Sequence, residues 1–234
     1  MNGRKFQEIA NCLKFETWEQ VEKWGNENYP HLYTEGNSYL PTGNSSCLCK
    51  AVIMYAGHYH RALNHYLRSY PYGKIWCPVL ENIKMIETIM SEMITYPLVE
   101  DVICYRYISK SYLEQMKRHA RIESGRLHFS RVLERGFMST TLLPSMYADY
   151  LGNQINENTI ILEIKANKNS KAMFVTPIAG RQFEAELLLA PRTELRIIKR
   201  KGNKISCEIV SQKAIEMIYD PEAPQFFACC KYVY

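Results

Sequence analysis

Apolar positions recur at helical spacing through roughly the first hundred residues, and at strand spacing after them. In Phe15 to Trp24, Trp18, Val21 and Trp24 fall at i, i+3 and i+6, which predicts an amphipathic helix capped by Thr17. Tyr29 to Ser46 is rich in Pro, Gly, Asn and Ser and reads as a loop. Leu48 to Leu67 repeats Val52, Tyr55, Tyr59, Leu63 and Tyr66 on one face and predicts a second helix, ended by Tyr70-Pro71-Tyr72-Gly73. Leu80, Ile83, Ile86 and Ile89 predict a third helix near Val79 to Ile94.

Past Pro97 the pattern changes. Val102 to Ile108, Phe137 to Thr141, Thr159 to Ile164, Ala185 to Ala190, Glu194 to Arg200 and Ile205 to Val210 read as strands. Phe174 and Val175 start another, broken by Pro177 and Gly180. Lys201-Gly202-Asn203 joins the last two strands as a hairpin. Helices first and strands second favour an α+β fold over an alternating parallel sheet. We expect one domain over 1–234: a helical part over about 1–96, a β-rich core over about 97–212, and a tail from 213 to 234.

Composition narrows the classes. The chain has 234 residues, 47% apolar and 23% charged, enough to bury a core and too apolar for wholesale disorder. No run of about eighteen apolar residues predicts a membrane span. Met1 to Lys14 lacks the apolar stretch of a signal peptide. The net charge of +5 mixes 24 acids with 29 bases, so nucleic acid is not the favoured partner. Eight cysteines without an export signal read as reduced thiols, pointing to action in a cytosol. Cys47-x-Cys49 and His58-x-His60 fall on a predicted helix, where residues two apart face different ways, so no metal is expected.

Three short elements carry chemistry: Arg106 within VICYRYI, Ser139-Thr140-Thr141 in GFMSTT, and Glu184-Ala185-Glu186 after a Gly-containing loop. Each alone is ordinary in a sheet. On a strand, however, residues two apart share a face roughly 6–7 Å apart. Two carboxylates on one space suit a reaction through an oxocarbenium-like transition state, one stabilising the sugar cation while the other handles the nucleophile.

Taken in order, Arg, Ser-Thr-Thr and Glu-x-Glu resemble the ADP-ribosyltransferases of the bacterial toxin exoenzyme type, relatives of binary actin-modifying toxins and Rho-modifying exoenzymes. Tyr55-Ala-Gly-His-Tyr59, then Asn64 and Leu67-Arg68, resemble that family's helix signature. Gly180 to Ile197 resembles its catalytic loop and strand. The resemblance spans roughly 15 to 212 and implies N-terminal helices packed on a mixed two-sheet β core.

It also implies an NAD-dependent mono-ADP-ribosyltransferase with NAD as co-substrate. Glu186 would be the catalytic glutamate, bound to the nicotinamide-ribose 2′-hydroxyl and oriented by Ser139, with Thr140 and Thr141 in support. Arg106 would hold the dinucleotide, joined by Asn64, Arg68 and Tyr59. Residues 142 to 153 would form a loop over phosphate and nicotinamide, with Tyr147 and Tyr150 as stacking groups, and Tyr55 would lie near the same site. Residues 176 to 183 would meet a target protein through Phe183 and Arg181. In this family Glu rather than Gln at the Glu184 position implies an arginine acceptor, and a carboxylate suits the paired donors of a guanidinium.

The alternatives are an NAD glycohydrolase, a nucleic-acid ADP-ribosyltransferase and a binding module whose site is blocked by Tyr107, which stands where the family often has Gly. Ala56 and Thr141 also depart from the pattern, replacing Thr and Ser. A catalytic unit of this length implies an injected effector, a toxin component with a separate carrier, or an intracellular enzyme.

Overall fold

The computed structural model describes residues 12–35, 47–126 and 130–225. Helix α1 (Trp18–Asn28) starts with a capping box, in which Thr17 accepts from the Gln20 N–H while the Gln20 side chain accepts from the Thr17 N–H. Helix α2 (Pro30–Glu35) follows at once, so the segment read as loop from Tyr29 begins as helix. Pro30 fits because the first turn of a helix does not need its missing N–H. The rest of that predicted loop, 36–46, lies outside the described residues.

The helix predicted over Leu48 to Leu67 is α3 (Cys47–Met54), a single π-helical turn (Tyr55–Tyr59) and α4 (His60–Ser69). Strand β1 (Lys74–Cys77) leads into α5 (Leu80–Thr95), which buries Ile83, Ile86, Ile89 and Met93.

The β-rich half comprises β2 (Val102–Ser109), β3 (Arg131–Glu134), β4 (Met138–Thr141), β5 (Thr159–Ala166), β6 (Ala172–Phe174), β7 (Glu186–Leu189), β8 (Thr193–Lys201), β9 (Lys204–Gln212) and β10 (Glu216–Tyr219). It also holds α6 (Lys110–Ser124), which breaks the expected helices-first order. Its signals were local: Ser109 accepts from the Tyr112 N–H at 3.1 Å, Leu113, Met116 and Ala120 are buried, and Gly125 ends it at φ 65°. Two short helices, α7 (Pro144–Leu151) and α8 (Thr176–Ala179), fill segments read as loops.

Eight strands form one mixed sheet in the order β3-β8-β9-β5-β2-β4-β7-β6, with β5 and β9 parallel. A second, two-stranded parallel sheet pairs β1 with β10. The predicted tail thus contributes a strand that ties residues 216–219 back to the N-terminal half. Ile160, Leu162, Ile164 and Leu187 to Leu189 are fully buried, so β5 and β7 are central to the core. The consequence for function lies in the order β2-β4-β7, which sets the strands of Arg106, Ser139 and Glu186 side by side. Tyr105 pairs with Thr141, and Thr141 pairs with Glu186.

Candidate active site

Two adjoining cavities, of about 140 and 290 Å³, open over these three strands. Arg106, Ser139, Tyr147, Glu184 and Glu186 line both. The smaller adds Tyr105, Tyr107, Thr140 and Thr141, and the larger adds Tyr55, His60, Arg61, Asn64, Arg68 and Arg181.

The two glutamates do not share a strand. Glu184 ends a 3₁₀ turn (Gln182–Glu184), and β7 begins only at Glu186. Ala185 between them adopts φ 40°, a left-handed conformation unfavourable for a residue with a Cβ. It is held there by its N–H to Gln182 O at 3.0 Å and by its carbonyl, which accepts from Leu142 N at 3.0 Å. This kink, rather than strand alternation, brings both carboxylates to one space.

Glu186 is buried, and burial pushes its carboxyl up to about 7. The Glu184 carboxylate raises it further, while a hydrogen bond from Ser139 and the charges of Arg181 and Arg106 oppose the rise. The Glu186 N–H donates to Thr176 Oγ1 at 2.8 Å, fixing its backbone. A buried carboxyl poised near neutrality in a cleft makes Glu186 a candidate for a functional role.

The arginines are organised by a residue the sequence reading missed. Glu134, fully buried at the end of β3, accepts from Arg68 Nε at 2.9 Å and Nη2 at 3.3 Å. It also accepts from the Tyr112 hydroxyl and from the Gly136 N–H at 2.8 Å, and Arg106 Nη2 lies 3.7 Å away. Burial acts to raise this carboxyl, but Arg68 and Arg106 together hold it below the usual carboxylate range. Arg106 donates from Nη1 to Ser139 O at 3.0 Å, and its buried Nε has no partner among the described residues. Both guanidiniums lie over the Tyr112 ring, at 5.3 and 5.7 Å. A short sequence could have flagged Tyr112 only through the unassigned α6, and Glu134 only by its place two residues before Gly136.

Other predicted residues take less direct places. Asn64 Oδ1 accepts from Phe137 N at 2.7 Å, and its Nδ2 donates to the Tyr55 hydroxyl at 3.2 Å. Thr140 donates to Leu187 O, and Thr141 Oγ1 accepts from Leu143 N at 3.1 Å, so both hydroxyls hold backbone at the cavity wall. Tyr59 is exposed on the π turn and lines neither cavity. Tyr107 donates to Pro144 O at 3.0 Å and packs on Tyr147 at 5.6 Å. The aromatic row continues through Tyr150 to exposed Phe183, with rings 6.0 and 4.6 Å apart. Arg181 pairs with Glu184 at 3.1 Å. Among the described residues no three His, Cys, Asp or Glu side chains gather as a metal site requires. Among them, too, no helix is long and apolar enough to cross a membrane.

This arrangement of two carboxylates, a serine and two anchored arginines belongs with a family match. The model of the ADP-ribosyltransferase exoenzyme family matches residues 21–219, and the chain is a member of that family. Its fold is similar to Plx2a, an ADP-ribosyltransferase toxin from Paenibacillus larvae, at 22% identity over 86% of this chain and 100% of that one, with a TM-score of 0.59. It is also similar to the C3 exoenzyme of Clostridium limosum, at 20% identity over 86% and 98% of the two chains, TM-score 0.59. The enzymatic component C2-I of the Clostridium botulinum C2 toxin matches at 18% identity over 85% of this chain but 50% of its own, TM-score 0.58. No curated protein sequence matches the chain.

Proposed function

We propose that the protein transfers ADP-ribose from NAD to an arginine of a target protein, releasing nicotinamide. The observation that carries this reading is the meeting of Glu184, Glu186, Ser139 and Arg106 around one cavity. A related structure, C3stau2 from S. aureus, was solved with NAD.

The residues suit a dinucleotide. Arg68 and Arg106 present guanidiniums to the cavity, and the partnerless Nε of Arg106 leaves a buried donor for an anion. Glu186 accepts from a ribose hydroxyl and, once ionised, opposes the positive charge that grows as nicotinamide departs. Glu184 holds the acceptor guanidinium by paired hydrogen bonds and receives its proton as the new bond forms. Ser139 lines the same cavities as Glu186 and is the group we assign to orient it. The Tyr150–Phe183 pair faces solvent and Arg181 sits partly exposed at the wall of the larger cavity, where a target protein would dock. The setting we favour is an effector or toxin acting in a host cytosol, with or without a carrier.

The test is incubation with adenylate-labelled NAD and a eukaryotic lysate, followed by mass spectrometry of the labelled species. Label on an arginine is the expected result. Label on another residue type, or label released by nuclease, overturns the arginine assignment; nicotinamide release without any label points to simple hydrolysis.

A further inference from the structure

We propose that the enzyme ADP-ribosylates its own Arg181. This rests on the transferase reading above and names a substrate for that same site within the chain itself.

The acceptor position in that reading is a guanidinium held by Glu184 beside Glu186. Such a guanidinium is already there: Arg181 Nη1 donates to Glu184 Oε1 at 3.1 Å, and all three side chains line the larger cavity. The contact is built by the backbone. Arg181 precedes the 3₁₀ turn, and its carbonyl accepts from Glu184 N at 3.0 Å. The turn is bracketed by left-handed Gly180, φ 68°, and Ala185, φ 40°. The loop therefore presents the guanidinium to the carboxylate without any partner molecule. The two deeper arginines are committed elsewhere, Arg68 to Glu134 and Arg106 to Ser139 O and Glu134. Arg181 remains 42% exposed at its side chain against 15% for Glu184, so it sits at the cavity mouth with freedom to turn inward.

The step balances with NAD as the only co-reactant. The bond between ribose C1′ and the nicotinamide nitrogen breaks, and its electron pair leaves with nicotinamide. An Nη of Arg181 forms the new bond to C1′. Glu184 takes the proton lost from that nitrogen, so one N–H is replaced by the C1′–N bond and the modified guanidinium keeps its positive charge. Because acceptor and site share one loop, the reaction is intramolecular, with the high effective concentration that tethering provides.

The experiment uses the whole chain with adenylate-labelled NAD and no added acceptor. Nicotinamide release is followed in parallel, and peptides are mapped after denaturation. One ADP-ribose on Arg181 is expected, with a labelled fraction at fixed time that does not depend on protein concentration. Arg181→Lys is expected to carry no label. Nicotinamide release with Arg181 unmodified, label on another residue, a labelled fraction that rises with protein concentration, or a labelled Arg181→Lys chain would each overturn intramolecular modification of Arg181 while leaving the transferase reading standing. No nicotinamide release with or without lysate overturns both.

Discussion

Arg68 meets Glu134 through two nitrogens, Nε at 2.9 Å and Nη2 at 3.3 Å, on a carboxylate with no exposure to solvent. Arg106 stands 3.7 Å from the same carboxylate. One buried anion thus sets the direction of two of the guanidiniums that line the cavity, Arg68 and Arg106, and it does so from a strand at the far edge of the sheet order. Removing one partner of a buried charge network leaves the others unpaired. Glu134→Ala is expected to lower stability by about 3–5 kcal/mol in urea unfolding. Glu134→Gln keeps an acceptor but not the charge, and is expected to fold while raising KM for NAD more than it lowers kcat.

Glu186 supplies a pH signature. Its carboxyl titrates near 7 in the folded chain against an ordinary value of 4.5. The folded state therefore holds the proton more tightly. Stability from this group is present below about 4.5 and is lost as pH rises through about 7. Glu186→Gln removes that ionisation, so the variant should gain about 1–3 kcal/mol over wild type at pH 8 and nothing at pH 4.5, read from paired thermal melts. Its nicotinamide release should fall at least about a hundredfold, the scale of a lost electrostatic stabiliser. Wild-type activity should climb between pH 6 and 8 as the carboxylate forms.

Gly136 has no room for a side chain. A Cβ there would lie 2.6 Å from Asn64 Oδ1 and 3.2 Å from Arg68 Nε. Gly136→Ala should break the Asn64 to Phe137 hydrogen bond and push Arg68 off Glu134. A cost of about 1–3 kcal/mol is expected from overpacking. Calorimetry with NAD should show weakened binding even where the fold survives.

Tyr107 supports α7 and also lines the smaller cavity. Its hydroxyl holds Pro144 O at 3.0 Å and its ring packs on Tyr147, which lines both cavities. Tyr107→Phe should cost about 1 kcal/mol or less, the worth of one hydrogen bond. Tyr107→Gly should free the helix, raise KM for NAD and expose residues 144–151 to faster proteolysis. Tighter NAD binding by the glycine variant would instead favour the blocked-site reading of this tyrosine.

Local sequence carried much of this. The α1 capping box, the Ile stripe of α5, the apolar run of β5 and the Gly202 hairpin all depend on residues a few positions apart, and the structure places each of them where the spacing implies. Arg106, Ser139 and Glu186 stand out only as an ordered set, since each motif alone is ordinary in a sheet, and the structure brings the three around one cavity. Where the pattern misled, a neighbour in space was responsible. β10 forms because β1 offers an edge, and the short helices α2, α7 and α8 occupy segments whose Pro and Gly content reads as loop.

The sequence by itself determined the residue types, their order and the helical or extended habit of most segments, since capping, periodicity and turn chemistry act within a few residues. Only the tertiary structure decided how the site is assembled. Arg68 and Glu134 are 66 residues apart, and the attraction that offsets the cost of burying them comes from two charges meeting in a low-dielectric site, which no local pattern encodes. The left-handed Ala185 that turns Glu184 toward Glu186 is likewise held by Leu142, 43 positions earlier in the chain (185 − 142 = 43).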